Sequence, residues 1–260
     1  MRLRITLSCP APFTIATDHQ SELVGLTYAL LGKEAPELAA FLHDDGFDAG
    51  LDGRNLKLFT YSPLRCAQRE LKGHCVVLGP GRIEWLVSSV SREFITAVGE
   101  AAEKAGEVRI GHVTLSVEGV WQVPSPDFRS GRAAFTCVTP IVSAVMRTPE
   151  EGGGTKFLKP EDGALFSGQV RRNLLRKYQT IHGMPPADGR FAMMFDEDYL
   201  SRHRGTKMVN FRGINIIGAM APFRAEGNPD LLRIGYECGF GEKNSIGFGM
   251  VDLQRMKAKD

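Results

Sequence analysis

The chain opens on a two-residue alternation. In "MRLRITLS", Leu3, Ile5 and Leu7 fall on one side and Arg2, Arg4 and Thr6 on the other. Successive strand side chains point to opposite faces, so this segment is predicted to be a half-buried strand with a basic exposed side. The period then lengthens. From His19 to Leu31 the residues Leu23, Leu26 and Leu30 make one helical stripe with Val24, Tyr28 and Leu31 beside it, and Asp18 is placed as the N-cap. A shorter helix follows, with Pro36 in its first turn, Leu38, Phe41 and Leu42 apolar, and Gly46 just past its end. "LKLFTYS", "CVVLG" and "IEWLVSSV" read as strands, "SREFITAVGEAAEKAG" as a helix stopping at Gly106, and "EVRIGHVTLSVEGV" as another strand. The order is β-α-β-β-α-β with a small helical insertion, the ferredoxin-like pattern.

Two prolines, a glycine and polar residues break the periodicity in "WQVPSPDFRSGR", Trp121 to Arg132, and the pattern then restarts. "AAFTCVTPIVSAVM" is strand-like, "EEGGGTKFLKPEDG" a connection, and Leu165 to Ile181 a helix with Phe166, Val170, Leu174 and Tyr178 at spacing four. "RFAMMF", "KMVNF" and "INIIGAMAPFRAEG" read as strands, "NPDLLRIGYECG" as a helix and "SIGFGMVDLQ" as the last strand. The expectation is an α+β chain of two tandem ferredoxin-like (RRM-like) domains, residues 1–122 and 123–260. The duplication rests on element order, since no repeat shows at the residue level.

Composition narrows the function classes. A net charge of +2 over 260 residues does not announce a polyanion partner by itself, although a local basic face is compatible with it. Cys9, Cys66, Cys75, Cys137 and Cys238 are scattered without a C-x-x-C pair, which points to reduced, packed thiols rather than a zinc site or a disulfide framework. The N-terminal apolar run is too short for a signal peptide and no stretch approaches a membrane span, so a soluble, cytoplasmic protein without a membrane partner is expected.

The glycine cluster "GYECGFGEKNSIGFGMVDL", Gly235 to Leu253, raises the question of phosphate. A P-loop requires G-K-[ST], but Gly241 is followed by Glu242, Lys243, Asn244 and Ser245, and no helix has room to follow. A dinucleotide fingerprint fails too, because its third glycine would fall on Asn244. Two readings stay open. An extended polynucleotide could lie against a loop of little side-chain bulk, its phosphates meeting backbone amides, Lys243 and Ser245. Alternatively, the glycines merely supply positive φ in a tight connection.

The run "GYECGFGEKNSIGFGMV" resembles the C-terminal glycine-rich loop of the CRISPR-associated Cas-six endoribonucleases of the RAMP superfamily. "HQSELVGLTYALL", "PELAAFLHDDGF" and "LKLFTYSPL" are similar to that family's N-terminal region in order and spacing, and "FTCVTPIV" to the start of its second half. The resemblance implies a tandem ferredoxin-like fold and cleavage of CRISPR precursor transcripts within each repeat. It implies metal-independent chemistry with no cofactor and no metal ligand set. The substrate's 2′-hydroxyl attacks, leaving a 2′,3′-cyclic phosphate and a 5′-hydroxyl.

Such cleavage needs proton transfer at two oxygens and a cation for the phosphorane, tasks suited to histidine, tyrosine and lysine. Tyr28, His43 and Lys57 stand at the positions that match the family's catalytic motif. Taken without the resemblance, Tyr28 is also a packed core tyrosine, Lys57 a surface charge opening a strand, and His43 a helix-end residue facing the dipole. Asp44 and Asp45 beside His43 favour its protonated form, and the acidic, glycine-rich "DDGFDAGLDGRN" separates it from Lys57. The RNA-binding set is Gly239, Gly241, Lys243, Asn244, Ser245, Gly247 and Gly249, with His19, Arg171 and Arg172; Arg176, Lys177, Arg202, Arg204 and Lys207 extend the basic runs. His74, His112, His182 and His203 form no metal spacing. The implied partner is CRISPR precursor repeat RNA, with subunits of a CRISPR effector complex and a homodimer as the assemblies open to the chain. Two other functions compete: a non-catalytic RNA-binding subunit of the same superfamily, and a small-molecule nucleotide enzyme using the glycine loop.

Overall fold

The computed structural model describes residues 1–47 and 55–254. The opening alternation becomes β1 (Arg2–Cys9), which buries Leu3, Ile5 and Leu7. β2 (Phe13–Ala16) leads to α1 (Gln20–Glu34) and α2 (Pro36–Asp44). Then come β3 (Phe59–Tyr61), β4 (Arg65–Cys66), β5 (Arg69–Lys72), β6 (Cys75–Leu78) and β7 (Gly81–Ser89). α3 (Arg92–Ala105), β8 (Glu107–Ile110) and β9 (Val113–Val123) complete this half. The main sheet has the order β3-β7-β1-β9-β8, antiparallel throughout, with β4 also on β7 and a separate sheet β2-β6-β5. α1 and α3 cover one face and close a core of Leu23, Leu26, Phe59, Trp85, Phe94 and Val98. α3 has both its expected ends: Ser91 accepts from the Phe94 N–H, and Gly106 takes the left-handed conformation.

The second half repeats the order. β10 (Arg132–Cys137), β11 (Ala144–Met146), β12 (Thr155–Phe157), α4 (Gly163–His182), β13 (Phe191–Phe195) and α5 (Glu197–Leu200) come first. β14 (Thr206–Phe211), β15 (Ile214–Ala219), β16 (Phe223–Gly227), α6 (Pro229–Cys238) and β17 (Val251–Leu253) follow. Its four-stranded sheet runs β13-β16-β10-β17, and β11–β12 and β14–β15 are hairpins outside it. The second core gathers Phe135, Phe166, Val170, Leu174, Phe223, Leu231 and Phe240. No helix among the described residues is long and apolar enough to cross a membrane. All five cysteines are free.

The halves are joined through the face of β1 expected to be exposed. Arg2 is 2% exposed; it donates to Asp252 Oδ1 at 2.8 Å and to the Tyr236 carbonyl at 2.9 Å. Thr60 donates to the Phe248 carbonyl at 2.9 Å, which fastens β3 to the glycine loop. A guanidinium taken out of water needs such partners, so the alternation correctly found the strand but not what covers it.

Several boundaries differ from the sequence expectation for local reasons. α1 runs three residues past Leu31, and its N-cap position is His19 without a side-chain cap; Asp18 instead accepts from the Asn210 N–H at 2.7 Å, tying the helix start to β14. "LKLFTYS" is extended over Phe59–Tyr61 alone, because Leu58 sits at φ 52° and breaks the ladder. "EVRIGHVTLSVEGV" folds back at Gly111, φ 59°, into β8 and β9. "AAFTCVTPIVSAVM" contains two strands, β10 and β11, and "INIIGAMAPFRAEG" likewise divides into β15 and β16. "SIGFGMVDLQ" begins as a 3-10 turn at Asn244–Ile246 and becomes strand only at Val251.

Candidate active site and nucleic-acid cleft

The three proton-transfer candidates converge. α2 follows α1 directly, so its C-terminal end returns beside the middle of α1, where Tyr28 stands half-buried. Beyond α2 the chain turns at Gly46, φ 67°, where an added Cβ would lie 2.9 Å from the Leu56 carbonyl oxygen. Phe47 and Leu56 then exchange backbone hydrogen bonds of 2.7 and 2.8 Å. This bridge closes the base of the acidic, glycine-rich connection, whose residues 48–54 lie outside the described residues, and delivers Lys57 next to His43. Lys57 Nζ donates to Tyr28 Oη at 3.3 Å and to the His43 carbonyl at 3.2 Å. Lys57 thus precedes β3 rather than opening it.

Tyr28 Oη donates to the Leu42 carbonyl at 3.1 Å while accepting from Lys57. Its ring meets His43 edge to face, centroids 5.7 Å apart. His43 is exposed, and its Nδ1 lies 2.8 Å from Asp44 Oδ1, while Nε2 has no partner among the described residues. Burial pushes the Tyr28 phenol up to about 12. Burial also lowers the Lys57 ammonium, and the Asp44 charge works against that shift. A phenol in this setting keeps its proton near neutral pH, whereas histidine is the side chain that exchanges protons there.

The glycine loop is built differently. Gly239, Gly241, Gly247 and Gly249 are buried and all have positive φ. Their α-carbons face the protein: an added Cβ at Gly241 would run into the Val142 carbonyl, and one at Gly249 into the Phe240 carbonyl. At Gly247 it would lie 2.7 Å from the Tyr61 ring, and at Gly239 it would meet the Asn244 amide. The close approach that their missing side chains permit is therefore to the protein's own chain.

Asn244 is likewise internal. It is 8% exposed and donates through Nδ2 to the Phe240 and Phe248 carbonyls at 3.2 and 3.0 Å, closing the loop on itself. Lys177, 1% exposed, donates to the Gly239 carbonyl at 2.7 Å, the Gly241 carbonyl at 3.1 Å and Asn244 Oδ1 at 2.7 Å. Those are the three hydrogen bonds an ammonium can make. Burial nonetheless pushes the Lys177 ammonium down to about 8. Lys177, read from the sequence as one cation of a basic run, is the tie that holds the loop.

A cleft of about 810 Å³ joins the two regions. Lys57 and Leu58 line one side, α4 supplies Arg172, Asn173, Arg176 and Lys177, and Lys243 and Ser245 contribute from the loop. Of the expected RNA contacts, Arg172, Lys243, Asn244 and Ser245 thus reach the cleft. Arg171 instead donates to the Gly189 carbonyl at 2.6 Å. His19 is 5% exposed, with Nδ1 2.9 Å from the Ala16 carbonyl and Nε2 accepting from the Leu64 N–H at 3.2 Å. Both its ring nitrogens are used internally and burial lowers its pKa, so it is a neutral structural histidine. Asn173, one helical turn before Lys177, was not singled out from the sequence. The available signal was a polar pair at spacing four on an otherwise apolar stripe.

Cations along this cleft, with Tyr28, His43 and Lys57 gathered at its edge, fit a protein that handles nucleic acid. The chain belongs to the Cas6 family of CRISPR-associated proteins. The family model described as CRISPR associated protein Cas6, C-terminal, matches residues 123–253, and that for the Cas6 N-terminal region matches residues 14–121. The chain is 31% identical over 250 residues to the CRISPR-associated endoribonuclease Cas6 of Pyrococcus furiosus, covering 94% of this chain and 86% of that one. It is 28% identical over 251 residues to CRISPR-associated endoribonuclease Cas6 1 of Methanocaldococcus jannaschii, covering 96% and 92%. A solved structure from a Cas6-related gene of Pyrococcus furiosus shares the fold over 99% of both chains, with a TM-score of 0.83 at 24% identity.

Proposed function

We propose that this protein cleaves CRISPR precursor RNA within its repeats, using the substrate's 2′-hydroxyl as nucleophile and needing no metal. The observation that carries this reading is the convergence of Tyr28, His43 and Lys57 at the edge of a cationic cleft. His43 Nε2, whose ring is accessible, takes the proton from the 2′-hydroxyl and returns one to the leaving 5′-oxygen. Tyr28 keeps its proton, directed to the Leu42 carbonyl, and positions Lys57 through the hydroxyl oxygen that accepts from it. The Lys57 ammonium steadies the negative charge that develops on the phosphorane. The attack joins the 2′-oxygen to phosphorus and breaks the bond to the 5′-oxygen, leaving a 2′,3′-cyclic phosphate and a 5′-hydroxyl.

The fold supports a tandem arrangement of ferredoxin-like domains, residues 1–122 and 123–260. Both halves run β-α-β-β-α-β, and the equivalent strands share one spatial order, β3-β7-β1-β9 and β13-β16-β10-β17. Joined through Arg2, Thr60 and their partners, the halves present the cleft along their seam.

The test is one gel. Repeat RNA with ribose at the scissile nucleotide is expected to be cut in EDTA, while RNA carrying 2′-deoxyribose there binds and stays intact. Strict dependence on added Mg²⁺ would reject the mechanism. If both RNAs stay intact yet bind, the chain is a non-catalytic RNA-binding subunit. Tight ATP or GTP binding without affinity for repeat RNA would make it a nucleotide enzyme.

A further inference from the structure

A carboxylate stands among the groups gathered at the edge of the cleft. Asp44 is the last residue of α2; it is exposed, and its Oδ1 lies 2.8 Å from His43 Nδ1. Two local effects oppose a negative charge there. The C-terminal end of a helix is the negative pole of its dipole and favours cations. On the reading above, phosphate comes to Lys57, and a carboxylate close by repels it. Asp44 thus serves neither helix stability nor RNA affinity. What it touches is the histidine.

The direction of that hydrogen bond follows from its partners. A carboxylate only accepts, so Nδ1 carries the proton and donates it. In the neutral ring Nε2 is then left with its lone pair open. A free imidazole in water prefers the opposite tautomer, with the proton on Nε2, and in that form Nε2 accepts nothing. A histidine that takes a proton from a 2′-hydroxyl through Nε2 needs the tautomer that Asp44 selects. Among the described residues, Tyr28 and Lys57 are the other titratable groups against His43, and neither addresses a ring nitrogen. Tyr28 meets the ring edge to face, and Lys57 reaches the backbone carbonyl.

We infer that Asp44 is the positioning residue of the cluster, holding the neutral His43 ring in the Nδ1–H tautomer with Nε2 open as the base. The inference rests on the reading above, in which His43 exchanges protons with the RNA. The proton of the 2′-hydroxyl goes to Nε2, while the Nδ1 proton stays on His43 and points at Asp44. His43 is then a cation beside a carboxylate until Nε2 gives its proton to the 5′-oxygen. In the free protein the pair is wet, and exposed ion pairs contribute little. RNA seated over the cluster removes water from it, and the same hydrogen bond is stronger there. Asp44 also acts on Lys57, whose charged form it favours. One carboxylate thus supports both the base and the cation of the proposed reaction.

Two measurements test this, and the first needs no RNA. The full chain with isotope-labelled histidine is read by nitrogen NMR at a pH where the ring is neutral, His43 being the signal lost in His43→Ala. The wild type is expected to carry the proton on Nδ1, and Asp44→Ala to shift the population toward Nε2–H. The second is single-turnover cleavage of repeat RNA from the host's own CRISPR array. Asp44→Ala should be slower by about 10- to 100-fold, the range for carboxylates that orient a metal-bound histidine. Its affinity for the same RNA carrying 2′-deoxyribose at the scissile nucleotide should be unchanged or tighter, and its melting temperature unchanged or higher. Asp44→Glu, which returns the carboxylate on a longer arm, should recover part of the rate. A wild-type ring protonated on Nε2, or Asp44→Ala cutting as fast as an active wild type, overturns the inference. So does a slower rate matched by an equal loss of affinity, which would make Asp44 an RNA contact. A wild type that never cuts ribose RNA, yet shows the tautomer change, would sink the proposed cleavage and leave Asp44 as the group that orients His43.

Discussion

The proton-transfer cluster and the glycine loop flank one cleft, yet they are made on opposite terms. The cluster consists of side chains that keep an open valence: His43 is exposed, and Lys57 is steadied by contacts it can exchange for a phosphate. The loop spends almost everything internally. Its glycines face carbonyls and rings of the same chain, and its polar centre is saturated by Lys177. On the proposed reading, activity should be deletable from the first without disturbing the fold, whereas the second has to be folded before it can present Lys243 and Ser245. A sequence rich in glycine says that something approaches closely. It does not say whether the visitor is a ligand or the chain itself.

That contrast can be broken at its strongest point first. His43→Ala should slow cleavage by about 10²–10⁴-fold while RNA affinity and melting temperature stay near wild type. A variant that cuts at the wild-type rate removes His43 from the mechanism.

Gly249→Val should act the other way, on stability rather than chemistry. The positive φ and the collision with the Phe240 carbonyl together cost about 2–5 kcal/mol, which lowers the melting temperature by about 5–15 °C. A valine variant that melts like wild type but binds RNA poorly would restore the loop to direct backbone contact with RNA.

Lys177→Met should be destabilising as well, and its effect should depend on pH. The Lys177 pKa is depressed from 10.5 to about 8 in the folded protein, so between those values the unfolded chain binds more protons. Folding then gains as pH rises, and the wild type's margin over Lys177→Met should widen from pH 8 toward 10.5. A margin that is flat or shrinks in denaturant titrations across this window contradicts the buried-ammonium account.

Lys243→Ala is the mildest change. Lys243 is exposed at the cleft, so the variant should stay folded, bind somewhat more weakly and lose about 0.7 from the slope of log affinity against log salt. An unchanged slope would place Lys243 outside the RNA path.

Much of the architecture was legible because it depends on near neighbours in sequence. The alternation of β1, the stripe of α1, the Ser91 and Gly106 ends of α3 and the recurrence of β-α-β-β-α-β all follow from local periodicity and capping chemistry. Boundaries slipped where a single residue overrode the pattern, as at Leu58 with its positive φ and at Gly111 in the turn between β8 and β9. Histidine, tyrosine and lysine at family-like positions could be picked out from the sequence as the residue types that suit the proposed chemistry. Their convergence could not, since it depends on the Phe47–Leu56 bridge returning Lys57 to α2.

What the amino-acid order determined alone, then, was element type, the order of elements along the chain and the kinds of side chain that the proposed cleavage would draw on. Tertiary structure decided which charged and polar groups remain available. Arg2, His19 and Lys177 look like surface groups in the sequence and are buried with internal partners; Arg172 and Lys243 reach the cleft. The physical reason is that periodicity reports which face of an element is apolar, while desolvation and hydrogen-bond satisfaction depend on what packs against it from far along the chain.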